Sequence, residues 1–185
     1  MRYPDSRKEE THARIVASAA ELLRGAGVNG IGVADLMKSV GLTHGGFYAH
    51  FDSKEALVAE SLGTALDQTI ARLRAAGEEA AKNNARQAIA ASYLSAKHRD
   101  NPEKGCAVAT LGADVARLTP ATKTVFEDKL EEMLGMLEEY SGARTDARDK
   151  AIAMFSTMVG ALLLSRAVRS KGLSEEILEA ARESI

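Results

Sequence analysis

The stretch VADLMKSVGLTHGGFYAHF, residues 33–51, decides the fold. It reads as a short helix over about 33–39, a three-residue turn containing Gly41, and a second short helix opening at Thr43. That is the spacing of a DNA-binding helix-turn-helix. Thr43 is a good N-cap, its hydroxyl oxygen accepting from the first free amides of the helix. In such a motif the second helix enters the major groove by its N-terminal residues, which makes Thr43, His44, Gly45 and Gly46 the groove-facing candidates. The two glycines carry no Cβ and let the backbone approach a duplex closely, at a cost of roughly 1 kcal/mol each in helix propensity.

Outward from this motif the chain is helical nearly everywhere, because apolar residues recur at three and four and no segment alternates in the two-residue period of strands. Ser6 with Glu9 predicts a capping box for a first helix over about 6–25, with Ile15, Ala19, Leu22 and Leu23 on one face and Gly25 and Gly27 as its stop. Asp52 with Glu55 predicts the cap of a long fourth helix reaching about Lys82. Asn84 with Gln87 opens a fifth helix to about Arg99, ended by Asn101-Pro102, and a sixth spans about 105–117. Thr119-Pro120 caps a seventh helix, on which Phe126, Leu130, Met133, Leu137 and Tyr140 form one stripe closed by Ser141-Gly142. An eighth, about Asp146 to Lys171, is apolar almost all round between Ile152 and Leu164, and Ser174 caps a ninth. The fold class is therefore all-α with about nine helices, and helices eight and nine carry a face suited to a second subunit.

The 185 residues suffice for a real core, and 45% hydrophobic with 27% charged residues is the balance of a globular protein. The net charge of −2 gives the whole no attraction for nucleic acid, so any affinity for DNA is local. Residues 1–54 carry seven Lys or Arg against six Asp or Glu. One cysteine, Cys106, excludes an internal disulfide and fits a reducing compartment. The start MRYPDSRKEET lacks the apolar core of a signal peptide, and the apolar run at 152–165 falls short of the ~20 residues of a membrane span. A cytoplasmic location is expected, with no membrane partner.

ASAAELL in the first helix, Gly41-Leu42-Thr43, Phe47-Tyr48-Ala49-His50-Phe51 and Ser53-Lys54-Glu55 together resemble the TetR family of transcriptional regulators. The resemblance implies that Phe47 and Phe51 pack inward, that Thr43, Tyr48, His50 and Lys54 meet the phosphate backbone, and that His44 reaches toward bases. Hydroxyl, imidazole and ammonium groups suit phosphate, and Lys54 stands at a helix N-terminus that itself attracts anions. Gly32, Ala34 and Ala49 depart from the family's hydroxyl, arginine and basic residues, leaving fewer phosphate clamps beside the N-terminal basic group Arg2, Arg7 and Lys8. The resemblance further implies a DNA-binding domain over 1–53, a ligand-binding and dimerisation domain over 54–185, a homodimer, and a small-molecule effector among the later helices. A repressor released from a palindromic operator follows. A helical ligand-binding protein that has lost DNA binding is the alternative, motivated by Gly32, Ala34 and Ala49.

Other signals weigh less. Gly25, Gly27 and Gly30 form a GxGxxG string, but it follows a helix rather than a strand and reads as a helix stop. His12, His44, His50 and His98 have no i, i+4 pairing and no cysteine cluster, so no metal site, cofactor or catalytic apparatus is expected. Met133, Met154 and Met158 are soft, adaptable side chains suited to a pocket or to a core. Cys106 is expected in the first turn of the sixth helix with Lys104, His98 and Arg99 near in sequence, a setting that suits a reactive thiol. The segment GCAVATLGADVARL resembles the Gly-Cys subgroup of the family, which includes an electrophile-sensing repressor of an N-ethylmaleimide reductase. His98, Cys106, Met133, Met154 and Met158 are the ligand candidates.

Overall fold

Ile15, Ala19 and Leu23 recur at helical spacing and are fully buried, and the segment forms helix α1, Asp5–Ala26. The computed structural model describes residues 5–80, 84–142 and 145–185. Arg2, the side chain of Ser6 with its capping box, and the expected helix end at Lys82 lie outside the described residues. Gly27, at φ 72°, ends α1 by donating its N–H to the Leu23 carbonyl at 3.0 Å. A 3-10 turn, Val28–Gly30, leads to α2, Val33–Ser39. Gly41 closes α2 at φ 75°, with Gly41 N–H on Lys38 O and Leu42 N–H on Met37 O, the paired bonds of a glycine-terminated helix. The chain continues as a 3-10 helix, His44–Ala49, then α3, Lys54–Glu79, α4, Ala85–Tyr93, and α5, Ala96–Asp100. After a 3-10 turn at Pro102–Lys104 come α6, Ala107–Val115, α7, Pro120–Glu139, α8, Ala147–Ala167, and α9, Lys171–Glu183. The described residues contain nine α-helices and no strand, in agreement with the all-α expectation.

Two apolar clusters form the interior, and α3 belongs to both. Leu57, Leu62 and Leu66 join α1, α2, Phe47 and Phe51, whereas Ile70 and Leu73 join α4, α7, α8 and α9. Helix α6 is shared in the same way, with Leu111 and Val115 in the first cluster and Cys106 and Ala109 in the second. By length and hydropathy α8 would suffice to cross a membrane, with a mean of 1.3 over eighteen residues. It packs against α9, α7 and α6, and leaves Ile152 and Leu164 exposed.

Several boundaries differ from the sequence expectation for identifiable reasons. Ser53, not Asp52, caps α3, its Oγ accepting from Ala56 N–H at 3.0 Å. The recognition segment is 3-10 rather than α, and Thr43 makes no side-chain cap bond, which leaves its hydroxyl unspent. The expected helix over 84–99 breaks at Ser95, whose Oγ donates to Ser92 O and accepts from His98 N–H, a local competition with the helical ladder. Asn84 likewise makes no side-chain cap bond. Cys106 is the N-cap of α6 rather than a first-turn residue. Helix α8 stops at Ala167 because Ser170, not Ser174, caps α9 through Leu173 N–H. Ser174 instead lies buried inside α9 and donates to Ser165 O at 2.6 Å, fastening α9 to α8.

The irregular segment 94–106 is held by side chains from elsewhere. Arg182 donates to Leu94 O, Arg166 to His98 O and Arg99 O, Arg24 to Glu103 O, and Arg72 to Lys104 O, at 2.6–3.1 Å. His98 completes it: Nδ1–H donates to Tyr93 O at 2.6 Å and Nε2 accepts from Cys106 N–H at 2.8 Å. Both bonds require the neutral ring protonated on Nδ1. Burial, with the charges of Arg72 and Arg166, lowers the His98 pKa from 6.5 to about 4. The unfolded chain thus binds a proton in this window and the folded chain does not, so this stabilisation is intact above pH 6.5 and declines as pH falls toward about 4. The full loss is on the order of 3 kcal/mol. Urea unfolding of wild type and His98→Gln should show a stability gap that narrows between about pH 7 and about pH 5, whereas a gap constant over that range would mean that the ring's protonation plays no part.

Candidate functional site

The helix-turn-helix is built on two aromatic anchors. Phe47 and Phe51 are buried with their rings stacked 5.4 Å apart, and His12 of α1 stacks on Phe51 at 4.5 Å. Anchoring these two positions turns the remainder of the turn outward. Thr43, His44, Gly45 and Tyr48 are exposed, Tyr48 at 67%, and nothing lies within 4 Å of a Cβ built on Gly45. Gly46 is half-buried, over Met37 and the Thr43 side chain. A β-carbon at Gly45 would therefore meet only what docks on this face.

His50 and Lys54 flank the exposed group, both half-buried. His50 closes the 3-10 helix, and its Nδ1 is enclosed without a hydrogen-bond partner. Burial first, then the charges of His12 and Lys8, lower its pKa, so the ring tends to neutrality. A neutral His50 can offer hydrogen bonding rather than charge, while Lys54, the first residue of α3, is a cation beside the exposed group. Beneath them His12 Nε2 meets Glu60 Oε1 at 2.6 Å, joining α1 to α3, and Arg14 donates to Val40 O at the end of α2.

A second site opens at the other end of α3. Arg72, Ser92, Ser95, Lys97, His98, Asn101 and Lys104 line a cleft of about 670 Å³, within the range of small-molecule sites. Of the five ligand candidates from sequence, His98 stands on its wall. Cys106, Met133, Met154 and Met158 are buried in the apolar cluster that includes Tyr93. Tyr93 packs edge-on against His98 at 4.6 Å, and its hydroxyl has no hydrogen-bond partner. Burial, with contact to the Cys106 thiol, raises the phenol pKa well above its usual range, so it stays neutral.

Arg24, Arg72 and Arg166 escaped the sequence reading. Their signal was an arginine interrupting an apolar face, Arg24 after Leu22-Leu23 and Arg166 after ALLLS. Arg24 is 4% exposed and also donates to Gln68 at 2.8 Å, so the last turn of α1 is wired both to α3 and to the segment beside the cleft.

Comparison with known proteins agrees with this geometry. Residues 15–61 match the family model described as bacterial regulatory proteins, tetR family. No curated protein matches the chain significantly. Among solved structures, the reduced form of E. coli NemR superposes with a TM-score of 0.81 at 21% identity, covering 95% of this chain and 94% of that one. A TetR transcriptional regulator from Chloroflexus aurantiacus gives 0.79 at 22% identity, covering 97% and 96%. A TetR-family regulator from Cytophaga hutchinsonii gives 0.82 at 19%, covering 96% and 94%. At these identities the likeness is one of fold, and it runs the length of the chain. Residues 15–61 thus carry the motif of the tetR family of bacterial regulatory proteins, and the chain as a whole has the fold of these solved TetR-family regulators.

Proposed function

We propose that the protein is a cytoplasmic homodimeric repressor that binds a palindromic operator and releases it when a small molecule occupies the helical body. The observation that carries this reading is the exposed group Thr43, His44, Gly45 and Tyr48 mounted on buried Phe47 and Phe51. In the proposed complex Thr43, His44, Gly45 and Gly46 face the groove, and Tyr48, His50 and Lys54 meet phosphates. Residues 1–53 are the reading head and 54–185 the effector and dimer body. Two-fold heads must stand about 34–36 Å apart to enter successive major grooves, and an effector that stabilises another spacing lowers affinity. A differential affinity of about 5–150-fold supplies a coupling of the usual size.

Thiol chemistry at Cys106 is a second route to release, favoured by its seat at the N-cap of α6 between the two apolar clusters. Cys106 is fully buried, so an electrophile reaches it only when the start of α6 opens. Release by a maleimide that is abolished in Cys106→Ser supports this route; equal release in the variant assigns the thiol to packing.

Selection from random duplexes should return an inverted repeat, and failure to enrich any duplex would favour a ligand-binding protein without DNA affinity. On the selected operator, Lys54→Ala should weaken binding to all sequences and reduce the log-log salt slope by about 0.9, the signature of one lost phosphate contact. An unchanged slope removes Lys54 from the interface. The dimer is assigned to α8 and α9, where Ile152, Leu163, Leu164 and Leu173 are 41–53% exposed. Val159→Glu combined with Leu163→Glu should convert a dimer to a monomer in light scattering; a dimer that survives both charges uses another surface.

A further inference from the structure

We infer that the cleft at the end of α3 binds small organic anions, with Arg72, Lys97 and Lys104 as the charged groups that hold the anionic head. The inference rests on the effector-responsive reading above and names the chemistry of its ligand. Three cations line this cleft and no carboxylate does. Among the described residues none of the three makes an ion pair, so their charge is not neutralised within the protein. Arg72 spends Nη1 on Lys104 O, while its Nη2 is enclosed and has no hydrogen-bond partner. An enclosed guanidinium N–H without an acceptor calls for one, and a carboxylate or phosphate oxygen is the acceptor that also answers the charge.

Most of the neutral groups on the wall are already committed, which narrows the chemistry further. Both ring nitrogens of His98 are engaged, Ser95 Oγ is engaged twice, and Asn101 donates to Lys97 O. Beside the Ser92 hydroxyl and the Asn101 side-chain oxygen, what the cleft has left to offer is positive charge. Its volume of about 670 Å³ exceeds that of a bare inorganic ion and suits an anion carried on an organic body. The position suits regulation, because Lys104, held by Arg72, adjoins Glu103, whose carbonyl holds Arg24 of α1. An anion drawing Arg72 away from Lys104 O loosens the backbone on which α1 is fastened.

The test is calorimetric titration of the full chain, without DNA, with benzoate, phenyl phosphate and neutral benzyl alcohol at constant ionic strength. At least one anion should bind one per chain, with the alcohol roughly tenfold weaker or silent. Preference between benzoate and phenyl phosphate distinguishes a carboxylate head from a phosphate head. Arg72→Gln should weaken the anion, and so should Lys97→Gln, a change at an exposed side chain that leaves the fold intact. Binding equal for anion and alcohol, binding unchanged in both variants, or no binding of either anion overturns the inference. Operator affinity of the untreated chain is measured separately, so a failed cleft and a failed regulator give different results.

Discussion

Thirteen residues between α4 and α6 must run through the junction of the molecule without a continuous helical ladder, and their carbonyls must find donors. Buried backbone oxygens left unpaired are expensive, so this demand constrains everything around it. The solution is an arginine from each of four helices, Arg24 of α1, Arg72 of α3, Arg166 of α8 and Arg182 of α9. A guanidinium offers five donors in a rigid fork and reaches carbonyls that a shorter side chain cannot. Because the acceptors are neutral, the positive charge is retained. Burial lowers the pKa of Arg24 and Arg166 against their ordinary value, the sign of charge held partly away from water. Of the four, Arg72 also lines the adjoining cleft, so the device that seals the backbone supplies one of that cleft's three positive charges.

The sequence made the reading head legible because that head depends on local chemistry. Gly41 at positive φ, Phe47 and Phe51 buried, and Tyr48 exposed follow from residue types at fixed short spacing. Two caps shifted for local reasons too, since Ser53 and Ser170 lie one and four residues from the expected Asp52 and Ser174 and each offers a hydroxyl oxygen as acceptor. What sequence could not show was long-range pairing. Nothing in the spacing joins Arg24 to residue 103, or Arg182 to residue 94, across 79 and 88 positions. The break at Ser95 was hidden for a related reason, because the segment keeps helical periodicity while its serine and histidine are drawn into other bonds.

The methionines illustrate how a property can point to two environments. Met133 and Met158 are at most 1% exposed and fill the second cluster beside Leu137 and Phe155. The cleft is instead polar and cationic. Flexible apolar side chains and fixed charges thus occupy neighbouring but separate volumes, with Tyr93 and His98 as the wall between them.

Helix α3 anchors the reading head at one end and lines the cleft at the other, and its 26 residues make a rod of about 39 Å. A rod that long converts small angles into distances that matter on a duplex. Tilting it by about 5° carries its far end about 3 Å, close to the rise of one base pair. In the proposed two-fold pair the displacements would be opposed and would add. Under the proposed function, the body need not rearrange for two such heads to fall out of step with the helical repeat of DNA; a tilt within the play of ordinary side-chain packing would suffice, and the stiffness of α3 would set the gain of the response.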